Sequence, residues 1–216
     1  MEELLKSTDI INRTIGTLEQ LADDDRYKPD LLASLRETGE WEVRCAVRAM
    51  ARHFEIDSYL EIGVRRGWSL AQVIDERPQV DTIGVDTWQY GDSSPDFVYE
   101  EMGRLFPNRR GRLIFETGSS HDIVPALACH GMLFDIALID GDHFAEGEAQ
   151  DLADVAPIVR YGLVFDDLLG VDENGKLLHA VWSDFKAAHD EFSYIENFNG
   201  HVPSGIAIRE ANYGNN

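Results

Sequence analysis

Residues 59–69 read Tyr59-Leu60-Glu61-Ile62-Gly63-Val64-Arg65-Arg66-Gly67-Trp68-Ser69. An apolar run through Tyr59, Leu60, Ile62 and Val64 gives way to a turn holding Gly63 and Gly67. Ser69 then opens a segment with Leu70, Val73 and Ile74 at helical spacing. Strand, tight turn and helix follow from that pattern. In an open α/β sheet, the carboxyl end of such a strand is where a nucleotide-like ligand sits, and glycine lets the backbone come close to it. Glu61, inside the strand, suits hydroxyl or amine groups and would repel a pyrophosphate. The spacing E-x-G-x-x-x-G is not the dinucleotide fingerprint G-x-G-x-x-G, because Arg65 holds its middle position. Nor is it a Walker loop, since no Gly-Lys-Ser/Thr follows. Taken alone, a glycine-bearing strand-to-helix turn serves equally well as scaffold.

Outward from this turn, strand and helix patterns alternate. Strands are predicted over 58–64, 82–86, 112–117, 135–140 and 162–166, with helices over 68–76, up to about 106, over 121–128 and over 145–155. A polar loop through Gly91, Asp92, Ser93, Ser94 and Pro95 precedes the second of these helices. Leu178, Val181, Phe185, Ala188 and Phe192 mark a later helix. Two β-rich runs, 194–198 and 202–209, flank Asn199-Gly200-His201 as an antiparallel pair. Alternation of this kind implies a mostly parallel sheet with helices on both faces. Before it, residues 3–21, 30–37 and 41–54 read as helices, the first with Leu4, Ile11, Ile15, Leu18 and Leu21 on one stripe. They are available to cover a sheet edge, cap a pocket or form a homo-oligomer contact. Asp23-Asp24-Asp25 reads as a solvated turn, and residues 213–216 as a frayed end. The chain therefore divides into an N-terminal helical extension, 1–55, packed on the core, and one α/β domain, 56–212.

Composition narrows the function. The chain has 216 residues, 44% hydrophobic and 27% charged, an ordinary globular balance that suits one α/β domain. No apolar run reaches the roughly 18 residues of a membrane span, and the acidic start Met-Glu-Glu-Leu-Leu-Lys does not resemble a signal peptide. Cys45 and Cys129 read as buried thiols of a cytoplasmic protein, with a disulfide as the alternative. A net charge of -21 repels phosphate backbones and acidic lipid surfaces. The expected partner is a small molecule, neutral or cationic, rather than nucleic acid or membrane; the charge serves equally to keep the protein soluble.

Chemistry gathers at the strand ends. After Glu61 and Gly63 come Asp86, then Glu116 to Ser120, then Asp140-Gly141-Asp142-His143, then Asp166-Asp167. In a parallel sheet these ends meet one crevice. Asp86 stands where a carboxylate accepts ribose hydroxyls, with a helix N-cap as the alternative. Ser119 suits an adenine edge or a helix cap. Asp140, Asp166 and Asp167 form an all-oxygen set suited to Mg²⁺, unless Asp142 and Asp167 only cap helices. Three clustered carboxylates need a counter-charge, and no lysine or arginine lies close in sequence to either strand end. Of the seven histidines, His143 is the one placed to take a proton from a substrate hydroxyl, with His121 second.

These residues resemble the class I S-adenosylmethionine-dependent methyltransferases over about residues 41–209. Glu61-x-Gly63-x-x-x-Gly67 is similar to their motif I, and Asp86 to their ribose-binding acid. The resemblance implies a Rossmann-like, doubly wound seven-stranded sheet of order 3-2-1-4-5-7-6, with the last strand antiparallel. The segments around Asp86 and Trp88, Asp140 to His143 and Asp166-Asp167 are similar to a narrower group. It comprises the small methyltransferase-domain family, the metal-dependent sugar O-methyltransferases of macrolide biosynthesis and the cephalosporin hydroxylase-like proteins. That likeness implies S-adenosylmethionine held by Glu61, Gly63, Gly67, Asp86, Trp88, Ser119 and Asp140. It further implies Mg²⁺ on Asp140, Asp166 and Asp167, and catalysis by His143 with Asp140. Arg65 replaces the second glycine of the fuller motif I, and no separate substrate domain precedes the sheet. The expected activity is Mg²⁺-assisted O-methylation of a small hydroxylated acceptor. The alternatives are a metal-independent N- or O-methyltransferase and a non-catalytic binding protein; an NAD-dependent oxidoreductase is disfavoured by the missing fingerprint.

Overall fold

In the computed structural model, which describes residues 1–22, 27–89, 91, 93–171, 175 and 177–209, seven strands pair in the order β3-β2-β1-β4-β5-β7-β6. They are β1 (Ser58–Ile62), β2 (Asp81–Asp86), β3 (Leu113–Thr117), β4 (Phe134–Ile139), β5 (Val159–Phe165), β6 (Phe192–Asn197) and β7 (Ser204–Arg209). β1 to β5 are parallel, and β7 lies antiparallel between β5 and β6. This is the expected architecture and strand order. The register sets the site: Ile62 is level with Val85 and Ile139, and Ile139 with Phe165. The residues that follow, Gly63, Asp86, Asp140 and Asp166, therefore emerge side by side.

β4 is buried at all six positions, as a central parallel strand covered on both faces must be. Its alternation feeds two layers. Ile136 and Leu138 join the cluster that holds Leu18, Val47 and Leu70. Ala137 and Ile139 join the cluster that holds Leu152, Phe165 and Trp182. The first layer is built from α2 (Thr8–Gln20), α4 (Val43–Phe54) and α5 (Trp68–Glu76), and the second from α7 (Ser120–Cys129), α8 (Ala145–Val155) and α9 (Leu178–Ala188). Two further helices are α1 (Glu2–Leu5) and α3 (Lys28–Thr38), and α6 (Pro95–Leu105) follows β2.

The N-terminal helices thus cover the sheet, and a fully buried Arg48 of α4 ties α2 and α4 to α5. Its guanidinium donates to Thr17 Oγ1 of α2 at 2.7 Å and to Gln72 Oε1 of α5 at 2.7 Å, and it pairs with Asp75 at 2.8 Å. Such a cation is tolerated inside only because its donors are met.

Several boundaries differ from expectation. The helix expected over 3–21 is broken at Ser7, whose Oγ accepts from the Ile10 amide at 3.3 Å and starts α2 anew. Phe192 continues the helical stripe of α9 in spacing, yet it opens β6, where its ring is buried in the second cluster. Cys45 is buried but Cys129 is exposed, and both are free thiols. The readings of Asp23 to Asp25, of Asp92 and of residues 213–216 lie outside the described residues. Among the described residues, no helix is long and apolar enough to cross a membrane.

Candidate functional site

A cavity of about 1250 Å³ opens at the carboxyl ends of β1, β2, β4 and β5, with Tyr27 and Leu31 on its rim from the N-terminal side. Gly63 forms its floor. Gly63 has φ 83°, and a Cβ there would fall 1.7 Å from the Asp140 carbonyl oxygen. Only glycine lets the turn after β1 cross the end of β4 so closely. Gly67, at φ 73°, would bring a Cβ within 2.7 Å of Val98, so it fixes how α5 leaves the turn.

Asp86 clamps this turn. Its Oδ2 accepts from the Arg65 amide at 2.7 Å and its Oδ1 from the Trp88 amide at 2.6 Å. It caps no helix, because Ser94 is the N-cap of α6. Each oxygen keeps a further lone pair. Thr87 and Gln89 line the cavity, while the Trp88 indole packs edge-on against Phe115 at 5.8 Å. Ser119 lines the cavity and also caps α7, accepting from the His121 amide at 3.3 Å.

Glu61 is 1% exposed and accepts from the Tyr59 hydroxyl at 2.8 Å. Burial pushes its pKa up to about 8, against the lowering effect of that hydrogen bond and of Arg44.

Asp140 and Asp166 come together at the ends of adjacent strands. Burial raises both, Asp140 to about 7, and each perturbs the other. Two carboxyls so placed oppose each other's ionisation. Arg44 of α4 opposes that rise at both acids. It pairs with the fully buried Glu42 at 2.5 Å and lies over the Trp68 ring at 5.6 Å. A counter-charge expected only from a metal is thus supplied in part by a side chain remote in sequence.

Asp166 Oδ1 is buried with no hydrogen-bond partner. An all-oxygen pair with one orphaned lone-pair site fits a hard divalent cation in chemistry. Asp167 does not join the pair: at φ 52° its carboxylate folds back over Gly170, whose amide donates to the Asp167 carbonyl at 2.8 Å. Among the described residues, no three His, Cys, Asp or Glu side chains converge as a metal-ligand group.

His143 lines the cavity with Nε2 3.9 Å from Asp140 Oδ1 and Nδ1 3.8 Å from Glu148 Oε1. Asp142 accepts from the Phe144 amide at 3.1 Å in the turn that leads into α8, whose N-cap is Phe144. His121 also reaches the cavity, with Nε2 3.3 Å from the Gly147 carbonyl. Sequence reasoning missed Arg44, Glu42, Trp68 and Glu148. Arg44 carries no local signal, and a glutamate in the first turn of α8 reads as an ordinary complement to the helix dipole.

Residues 60–168 match the family described as "Methyltransferase domain". No curated protein matches the chain. Among solved structures, the chain is similar to the apo form of CalS11, a TDP-rhamnose 3'-O-methyltransferase of calicheamicin biosynthesis. That likeness has 16% identity and a TM-score of 0.62, and it covers 95% of this chain and 94% of the other. An O-methyltransferase from Bacillus cereus in complex with SAH aligns at 14% identity and TM-score 0.61, over 94% and 92%. An O-methyltransferase family protein from Burkholderia thailandensis aligns at 14% identity and TM-score 0.56. There 78% of this chain covers 55% of that longer protein. At these identities the likeness is one of fold.

Proposed function

The chain belongs to the methyltransferase-domain family, as a class I S-adenosylmethionine-dependent methyltransferase, and from that premise we propose that it methylates an oxygen of a small hydroxylated acceptor, assisted by Mg²⁺. The observation that carries this reading is the meeting of His143 with the Asp140–Asp166 pair at the wall of one cavity whose floor is the Gly63 turn. The domain reading goes with it: a helical extension, 1–55, and a methyltransferase domain, 56–212. So does a cytoplasmic setting, together with a homo-oligomer contact through the N-terminal helices.

S-adenosylmethionine supplies a methyl group on a sulfonium sulfur. Asp86 would accept the ribose hydroxyls through the lone pairs that the Arg65 and Trp88 amides leave free. Ser119 would meet the adenine edge, with Trp88 behind the cavity wall. Glu61 and the turn from Gly63 to Gly67 would hold the amino-acid tail. Asp140 and Asp166 would hold Mg²⁺, with Asp167 completing the set on turning away from Gly170; the ion would supply positive charge that makes an acceptor hydroxyl more acidic. His143 Nε2 would take that hydroxyl proton as the oxygen attacks the methyl carbon in line, forming C–O while the C–S bond breaks.

The test is transfer of an isotopically labelled methyl group to a panel of hydroxylated small molecules, with and without EDTA. Label on oxygen, lost in chelator and restored by Mg²⁺, is the expected result. Label on nitrogen, or undiminished transfer in chelator, would hand the site to the metal-independent reading.

A further inference from the structure

His143 is held from two sides. One ring nitrogen faces Asp140 and the cavity; the other faces Glu148, which the cavity does not reach. Glu148 rises from the first turn of α8 and is 1% exposed. Its Oε2 is buried with no hydrogen-bond partner, and burial first, then the nearby Asp151, Asp140, Asp166 and Asp142 carboxylates, hold its pKa well above the ordinary carboxyl range. A carboxylate in such a place is expensive to bury without a donor. The basic group that faces it is the imidazole of His143, with Nδ1 3.8 Å from Oε1. A small rotation of the half-exposed ring closes that gap to a hydrogen bond, as catalytic contacts commonly do when ligands bind.

We propose that Glu148 is a positioning residue: it accepts the Nδ1 proton of His143, so that the Nε2 lone pair is the one turned to the cavity. The tautomer of a histidine is set by the hydrogen bond its other nitrogen makes. Without Glu148, the neutral ring takes the Nε2–H form that free imidazole side chains favour, and it offers the acceptor a donor instead of a base. With Glu148, the ring accepts the hydroxyl proton at Nε2 and keeps its own on Nδ1, turned to the Glu148 Oε1. The inference rests on reading His143 as the base of the proposed transfer.

The experiment needs neither acceptor nor cofactor. The full chain is labelled with ¹⁵N at its histidines, and long-range ¹H–¹⁵N correlations are recorded above the ordinary histidine titration range. The His143 signals are identified by their absence in His143→Gln. In the native protein the Nδ1 signal should stand at the protonated, pyrrole-type position and Nε2 at the unprotonated, pyridine-type position. In Glu148→Met the two should exchange, while the His121 signals stay in place as a check on the fold. An Nε2–H tautomer in the native protein overturns the proposal, and that reading does not depend on any variant folding. An unchanged Nδ1–H tautomer in Glu148→Met overturns it too, and leaves Glu148 as a helix-start residue. Failure of the methyl-transfer reading, seen as no transfer to any oxygen, leaves the tautomer result standing.

Discussion

Arg44 and Asp166 belong to one buried charge cluster, although one stands on the fourth helix and the other at the end of the fifth strand. Arg44 is shared among Glu42, Asp166 and Asp140, in that order of strength. It therefore serves the fold and the site at once. Arg44→Met leaves the fully buried Glu42 uncompensated. Losing one partner of a buried pair costs about 3–5 kcal/mol. Urea unfolding should show a loss of that size, with no change in the slope of the transition. A loss below about 1 kcal/mol would mean that Glu42 is served by other donors.

Asp86 holds two backbone amides before any ligand arrives. Asp86→Ala should weaken S-adenosylmethionine binding by about 1.5–3 kcal/mol, the scale of hydrogen bonds to a charged acceptor. Asp86→Asn, which keeps one acceptor oxygen, should lose less. Calorimetric titration reads both. NAD should bind the native protein far more weakly than S-adenosylmethionine, because the G-x-G-x-x-G turn is absent; tighter NAD binding would overturn the cofactor role of this turn.

The proposed cation can be measured without an acceptor. Mg²⁺ titrated into the protein saturated with S-adenosylhomocysteine should bind at one site. Asp166→Asn should weaken that binding by more than about tenfold, since even outer partners of a metal are worth about 10–100-fold. Cofactor affinity should stay close to native. No heat of binding from Mg²⁺ to the native complex would leave Asp140 and Asp166 as a buried acid pair served by Arg44.

Glu61 gives the fold a pH dependence. Burial raises its pKa from 4.5 to about 8. Between those values the folded chain binds a proton that the unfolded chain has released. Stability therefore falls as pH rises from about 4.5 to 8, and flattens above that. In EDTA, the unfolding free energy of the native protein should drop across this window more than that of Glu61→Gln, which carries no titrating group there. Parallel pH profiles for the two proteins would show that Glu61 is ionised in the fold.

What was legible in the sequence follows the range of the interactions involved. The order of strand and helix is written in local periodicity, and the strand-end acids could be gathered because parallel register brings them level. Gly63 was legible as a turn residue, but its reason, that a Cβ there would fall 1.7 Å from the Asp140 carbonyl oxygen, belongs to the packing of the turn on the end of β4. Ser7 hid inside an apolar stripe because capping is decided by one hydroxyl, not by spacing. Phe192 was misplaced because a single aromatic satisfies a helical and a strand pattern alike. Arg44 was invisible for a stronger reason. A counter-ion supplied from another layer of the fold leaves no mark near the charges it serves, so the sequence offered the acid pair no cation but a metal.

The Arg48 anchorage bears on how this protein can be rearranged by evolution or by design. α2, α4 and α5 share one buried guanidinium, and α4 also brings Arg44 to the acids. The sheet from residue 56 onward therefore shares buried cations with helices that precede it. Recombined with a foreign leader, it would inherit an uncovered face and a wall with its cation missing. In this chain the N-terminal helices and the strands they cover are fitted to one another, and an exchange that keeps both keeps the guanidiniums of Arg44 and Arg48 in place.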